Sequence, residues 1–232
     1  MDAARIAALL EPFLDQPLPS PALEQISIYI DLLLRWNARI NLTAIRNPEE
    51  IVTRHFGESF FLASHLFPER VARTLLSAQV LPPSKEADGM PPQPRVLDLG
   101  SGAGFPAFPV KIWSPNIHLT LIESNHKKAA FLRELVRSLT LTDVNVITER
   151  AETLVIKDPP QAAVVTLRAV ERFDTVLPLA IRFLSPSARL ALLIGASQFP
   201  NLLRLAPTVD WRPSISIPQS HSRVLAIGVQ RS

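Results

Sequence analysis

The spacing of apolar positions changes near residue 95. Before it, Leu23, Ile26, Ile30, Leu33, Leu34 and Asn37 recur at helical intervals and predict an amphipathic helix to about residue 39. Ser20 stands as its N-cap with Pro21 at the first helical position. A short helix over 2–14 precedes it, closed by the proline-rich Gln16 to Pro21. Asn41-Leu42-Thr43-Ala44 breaks the pattern. A third helix is predicted from Asn47-Pro48-Glu49-Glu50, a cap, a proline and two acids where the helix dipole favours them. It runs through Ile51, Arg54, His55 and Glu58 towards Leu66. Residues 1–80 therefore read as a helical subdomain.

Residues 81–94 hold five prolines, one glycine and few apolar positions, which reads as a linker or surface loop. From Arg95 short apolar runs alternate with helical patterns, the signature of a parallel sheet with right-handed crossovers. Strands are predicted at 96–99, 118–122, 145–147, 163–167 and 189–194, with helices at 105–113, 127–139 and 172–184. Two further strands, 214–217 and 223–229, are joined by a short polar connection and predict a closing antiparallel hairpin. The expected fold is α/β: a seven-stranded, mostly parallel, Rossmann-like sheet over 95–232, with the helical subdomain in front.

Bulk properties narrow the setting. A chain of 232 residues with 47% hydrophobic content can bury a full core. It has no cysteine, hence neither a disulfide framework nor a thiolate metal site, which suits a reducing cytosol. The first residues show no basic-then-apolar leader, and no apolar run reaches the ~18 residues of a membrane span. A soluble, cytoplasmic protein without a membrane or metal partner is expected. The net charge of +3 is uneven: residues 1–80 carry 7 Lys/Arg against 9 Asp/Glu, and residues 81–232 carry 17 against 12. After Asp210 there is no acid, while Arg212, Arg223 and Arg231 remain. That bias suits a polyanionic partner or an ordinary solvated surface equally well.

The chemistry concentrates in Val96-Leu97-Asp98-Leu99-Gly100-Ser101-Gly102-Ala103-Gly104-Phe105-Pro106. A strand ends in an acid and three glycines at alternate positions and then enters a helix, a ready site for a polar or anionic group. A dinucleotide fingerprint would need its third glycine at position 105, which is Phe105. The Asp-x-Gly-x-Gly-x-Gly pattern resembles instead the S-adenosylmethionine loop of Rossmann-like methyltransferases. Glu123 ends the second strand, where an acid accepts bonds from both hydroxyls of a ribose, or else serves as a solvated strand end.

Other segments make the resemblance specific. These are Trp36-Asn37 with Asn41-Leu42-Thr43, Arg54-His55 with Glu58-Ser59, and Leu121-Ile122-Glu123. Lys127 to Leu132, Arg150-Ala151-Glu152 and Arg168-Ala169-Val170 complete the set. Over roughly residues 30–195 the chain resembles the bacterial RsmG (GidB) family, which methylates N7 of a guanine in the 530 loop of 16S rRNA. The resemblance implies S-adenosyl-L-methionine as cofactor and 16S rRNA or the small ribosomal subunit as partner. It also implies that Asp98 is among the cofactor-binding residues, that Gly100, Ser101, Gly102 and Phe105 line the methionine end, Glu123 the ribose, and Ala151 and Glu152 the adenine edge. Arg168 would face the transfer centre, gripping a carboxylate or phosphate as a bidentate fork or standing in a structural ion pair. Asn41, Arg54, His55 and Glu58 would help form the substrate pocket, with His55 positioning substrate. By spacing alone, His55 and Glu58 are an i,i+3 pair on one helical face, as a surface ion pair would be.

The chain departs from the family pattern at Ala103 and Ala107, where glycine is usual, at Glu58 for aspartate, and at Ile194 for lysine. The 81–94 segment is also longer than usual. On the predicted helix after Glu123, the residues His126, Arg133 and Arg137 form a basic stripe suited to phosphates, or simply an exposed helix face. The rival readings are a methyltransferase of another RNA or a small molecule, a non-catalytic RNA-binding module, and a nicotinamide dehydrogenase.

Overall fold

The computed structural model describes residues 1–68, 93–168 and 173–231. Residues 69–92, which hold most of the expected proline-rich linker, lie outside that description, as do Ala169 and Val170.

The first segment is helical: α1 (Ala3–Leu10), α2 (Ser20–Asn37), α3 (Pro48–Glu50), a π-helical stretch Ile51–Gly57, and α4 (Glu58–Leu66). Asn47 caps α3 as its sequence predicts, its side chain accepting from the amides of Glu49 and Glu50. The start of α2 differs by one residue from the prediction. Pro19 occupies the cap position in extended conformation, and Ser20 makes no side-chain cap bond. The Pro19 carbonyl instead takes the amides of Ala22 and Leu23, and Pro21 falls in the first turn, where its missing N–H leaves nothing unpaired.

Strands β1 (Arg95–Leu99), β2 (His118–Ile122), β3 (Val144–Ile147), β4 (Ala162–Arg168) and β5 (Leu184–Gly195) are parallel. β8 (Arg223–Gln230) runs antiparallel beside β5, and β6 (Val209–Trp211) and β7 (Ile215–Ser216) both pair with β8. The order is β3-β2-β1-β4-β5-β8-β6. The closing hairpin is present; among the described residues the additional short strand β6 makes eight where the periodicity predicts seven. The crossovers carry α5 (Ala107–Trp113), α6 (His126–Ser138), α7 (Ala151–Lys157) and α8 (Phe173–Ile181), with α9 (Leu202–Leu205) before β6.

Alternation along each strand divides the core. Val96, Leu119, Leu121, Val164, Ala191 and Leu193 pack with α2, the π stretch, α4, α5 and α6. Leu97, Leu99, Val165, Leu167, Leu190 and Leu192 pack on the other face with α8 and α9. Both faces are covered, so β4 and the second half of β5, Leu190 to Ile194, read as nearly continuous apolar runs. Two hydrogen bonds fix α2 against α6: Gln25 Nε2 donates to the Leu139 carbonyl at 2.9 Å and Trp36 Nε1 to Glu134 at 3.0 Å. The order of strands reverses direction between β1 and β4, which opens a crevice at the carboxyl edge of the sheet.

Candidate active site

The glycine loop leaves β1 at that edge. Gly100 and Ser101 donate to the Ile122 carbonyl at the end of β2, at 2.9 and 3.1 Å. Gly100, Gly102 and Gly104 all have positive φ, at 73°, 54° and 87°, which L side chains adopt only at a cost. A Cβ on Gly100 meets nothing within 4 Å, so bare backbone faces open space there. Gly104 is different: a Cβ would lie 2.6 Å from Tyr29 Oη and collide with Phe108. Ala103 and Ala107 are not among the positive-φ positions, so the departures from glycine there add a methyl group without backbone strain.

Glu123 closes the loop from β2. One carboxylate oxygen accepts from the Gly102 amide and the other from the Asn125 amide, both at 2.8 Å. A carboxylate has about four lone-pair directions, so two remain for a ligand. Beneath the loop, Asp98 is fully buried and accepts from Thr166 Oγ1 at 2.6 Å, while its Oδ2 is buried without a partner. Burial pushes its carboxyl up to about 6, against the opposing effect of the Thr166 bond. Ser101 is turned inward, its hydroxyl donating to the Asp98 carbonyl at 3.1 Å. Ala151 and the exposed Glu152 open α7, next to the edge that carries Glu123; Glu152 faces Arg150 at 3.9 Å.

The helical segment packs against the glycine loop through the loop's Phe105. Its ring stacks on Tyr29 at 5.0 Å and on His55 at 4.8 Å, with Phe56 edge-on. Tyr29 also donates to the Ala103 carbonyl at 2.5 Å, tying α2 directly to the glycine loop. Phe105 is thus buried between aromatic neighbours.

The Asn37 to Thr43 motif explains how His55 reaches this stack. Buried Asn37 accepts from the Leu42 and Thr43 amides and donates to the Thr43 carbonyl. The turn so fixed presents Thr43 Oγ1 to His55 Nε2 at 2.8 Å. Asn41, on the outside of the same turn, is exposed and stands apart from the cluster. Burial, helped by Arg168, Arg54 and Arg223, pushes the His55 imidazole down to about 2, so the ring is neutral. Its Nδ1 is buried and unpartnered.

Spacing alone places His55 and Glu58 as partners on one face of an α-helix. The π winding, with its i→i+5 step, breaks that phase. His55 stacks on Phe105, Arg54 pairs with Glu50 at the surface at 3.3 Å, and Glu58 turns inward. Glu58 Oε2 is shared by Arg168 and Arg223, each at 3.1 Å. The side chains of Glu58 and Arg168 are 4% and 6% exposed. Arg168 also donates to the Arg54 carbonyl at 2.7 Å and, at 3.5 Å, to that of His55. Its fork is therefore engaged with protein groups at the junction of π and α winding.

A cavity of about 300 Å³ adjoins this ion pair, lined by Arg54, Arg168, Gln198, Ser222 and Arg223 among others. Sequence reasoning missed Arg223 as a site residue. Its only signal was the acid-free tail after Asp210. The register places it at the functional edge: β8 runs antiparallel, so Arg223 pairs with Gly195 at the carboxyl end of β5. The basic stripe on α6 is altered too, because Arg133 donates to the Val146 carbonyl and to Thr148. Among the described residues no helix is long and apolar enough to cross a membrane.

Comparison with known proteins agrees with this architecture. The family described as rRNA small subunit methyltransferase G (GidB) matches residues 22–209. Ribosomal RNA small subunit methyltransferase G of Roseiflexus castenholzii is 43% identical over 174 residues, 71% of this chain and 64% of that protein. The protein of that name from Xanthomonas campestris pv. campestris is 32% identical over 212 residues, 91% of this chain and 84% of its own length. The chain thus spans just under two thirds of the Roseiflexus relative and most of the Xanthomonas one. Among solved structures, a putative O-methyltransferase from Klebsiella pneumoniae is similar with a TM-score of 0.57 at 14% identity, covering 88% of this chain and 90% of that one. P. horikoshii TYW2 in complex with MeSAdo gives 0.50 at 16% identity, covering 67% and 66%. These two likenesses speak for the fold. With a family match over 188 of its 232 residues (22 to 209 inclusive), the chain belongs to the rRNA small subunit methyltransferase G family.

Proposed function

We propose that this protein transfers a methyl group from S-adenosyl-L-methionine to N7 of a guanine in the 530 loop of 16S rRNA. One observation carries the reading: a glycine loop with three positive-φ residues, held by the Glu123 carboxylate, lies at the carboxyl edge of the sheet in a chain of this family. The residues present fit the cofactor. Gly100 and Gly102 offer backbone that no side chain obstructs, and Glu123 keeps acceptor capacity for ribose hydroxyls. In this reading the backbone of Gly100, Ser101 and Gly102 serves the methionine end, the Ser101 hydroxyl being turned inward, while the buried Asp98 and Phe105 support the loop from below rather than touching the cofactor as the resemblance implies. Ala151 and Glu152 flank the adenine.

When bound, the cofactor supplies an electrophilic sulfonium methyl group. The acceptor N7 carries a lone pair and no proton, so the protein is not asked for a general base. That matches a His55 held neutral and turned onto Phe105, acting through position rather than proton transfer. The chain's own contribution is orientation, which is worth several orders of magnitude in rate when reacting atoms are held in line. Arg168, fixed by Glu58 and two carbonyls, forms the rigid floor between the loop and the basic cavity. The guanine has to leave its stack to reach this edge.

The test is transfer of labelled methyl from S-adenosylmethionine to small ribosomal subunits lacking the modification, followed by mapping of the modified base. The expected result is one N7-methylguanine in the 530 loop. Cofactor binding with label on no rRNA would overturn the substrate and leave the cofactor site standing. Absence of cofactor binding would overturn the site itself.

A further inference from the structure

We propose that Arg223 and Arg54 form an oxyanion subsite in the cavity between β4, β5 and β8, and that it holds a backbone phosphate of the RNA beside the target nucleotide. The phosphate assignment rests on the RNA-methyltransferase reading above. The subsite itself rests on geometry. The two arginines that share Glu58 are not equivalent. Arg168 is 6% exposed and spends its donors on Glu58 and two main-chain carbonyls. Arg223 is 20% exposed, makes one ion-pair contact, and keeps its Nε buried without a partner. A guanidinium carries five donors, so most of those on Arg223 remain available at the cavity wall.

Among the described residues, charge in the cavity is also unbalanced. Arg54, Arg168 and Arg223 line it, and Glu58 behind them supplies one carboxylate for two of the three. The third, Arg54, is paired with Glu50 only at the surface, where both side chains are about half exposed and such pairs are weak. Two positive charges facing a concave space of about 300 Å³ attract a tetrahedral oxyanion. The cavity lies at the same edge of the sheet as the glycine loop, since Leu167 and Arg168 end β4 and Ile194 and Gly195 end β5. A strand entering there has its phosphate on the arginines while its base is directed towards the loop.

The experiment compares wild type with Arg223→Gln, Arg223→Lys and Arg54→Gln in three readouts. These are KM for unmethylated small subunits as a function of salt, the Kd of S-adenosylmethionine and of its decarboxylated form, and the gain in Tm on adding inorganic phosphate without RNA. Arg54→Gln removes only a surface ion pair, so it carries the test should Arg223→Gln not fold. A phosphate contact predicts a KM raised about tenfold, kcat near wild type, and a log–log salt slope shallower by about 0.7–0.9. Arg223→Lys regains part of the affinity, cofactor Kd is unchanged, and the phosphate-induced Tm gain shrinks. An unchanged salt slope and an unchanged phosphate effect would overturn the subsite, leaving Arg223 as a strut for Glu58. A raised Kd for S-adenosylmethionine, with none for the decarboxylated form, would overturn the RNA assignment and give the subsite to the cofactor carboxylate. Should wild type methylate no RNA, the substrate reading fails on its own, and the phosphate arm still decides whether the oxyanion subsite exists.

Discussion

Replacing Glu58 with glutamine separates a buried ionic hub from a surface ion pair. The Glu58 side chain is 4% exposed and one of its oxygens serves both Arg168 and Arg223. Glu58→Gln keeps the volume and one acceptor but leaves two guanidinium groups without a counter-charge, in a region Arg54 already makes positive. Removing one partner of a buried pair costs about 3–5 kcal/mol, because the remaining charge stays desolvated. The retained amide oxygen places the expected loss near the lower end, about 3 kcal/mol. For a chain of this size each kcal/mol moves Tm by roughly 2–4 °C, so a fall of about 6–12 °C is expected by calorimetry at neutral pH. The fall should persist in high salt, since buried pairs are screened little. Glu50→Gln is the control: it breaks the half-exposed pair with Arg54 and should shift Tm by no more than about 2 °C. If both variants melt within about 2 °C of wild type, Glu58 is not the hub its burial implies.

Three further outcomes follow from the same geometry. Gly104→Ala places a methyl group on Tyr29 Oη and Phe108 at a φ of 87°, and should cost about 2–5 kcal/mol in urea unfolding. Gly100→Ala, which meets nothing within 4 Å, should cost only the backbone penalty of about 1–2 kcal/mol; equal losses would refute the packing account. Glu123→Gln turns one of its two amide-accepting oxygens into a donor, so the Gly102 or Asn125 amide loses its partner; it should loosen the loop and raise the Kd for S-adenosylmethionine about tenfold by calorimetric titration, and a change under about twofold counts against a place for Glu123 in the cofactor site. His55 gives a pH signature. Its folded value of about 2 lies below its ordinary 6.5, so the unfolded chain binds the extra proton and stability falls as pH drops from 6.5 towards 2. By pH 5 that amounts to about 2 kcal/mol. Asp98, raised from 3.8 to about 6, acts oppositely, losing stability as pH rises across that interval. Comparison with His55→Asn isolates the histidine: the wild-type advantage should shrink by about 2 kcal/mol between pH 7 and pH 5. A constant gap would show that the imidazole binds protons in the folded protein as it does in the unfolded chain.

Local signals were legible where a residue's task is local. The apolar run of β1, its terminal acid and the alternate glycines need only their own backbone conformation, so Asp98 to Gly104 could be read directly from the chain. The Asn47 cap is similar. Elements that depend on tertiary partners were not legible in the same way. β5 extends back to Leu184 through Ser185, Pro186 and Ser187, which carry no apolar alternation, and the β4–β5 register shifts there. β6 is three residues long and exists because β8 offers an edge. The π stretch overturns the phase of a helix assumed to repeat every 3.6 residues, and so reassigns Glu58 from a surface pair with His55 to a buried pair with Arg168, 110 positions away. Arg223 joins the site through pairing of β8 with β5, which no motif near residue 98 announces.

The antiparallel entry of β8 also orders events in time. Synthesis releases the glycine loop, Glu123, Glu58 and Arg168 well before Arg223, and a parallel sheet must wait for distant strands to meet. A nascent chain that has released β1 to β4 holds the glycine loop and Glu123, yet the basic cavity lacks a wall until β8 pairs with β5. The cavity is therefore completed by a late strand, after the residues of the glycine loop and of the Glu58–Arg168 pair are all present in the chain.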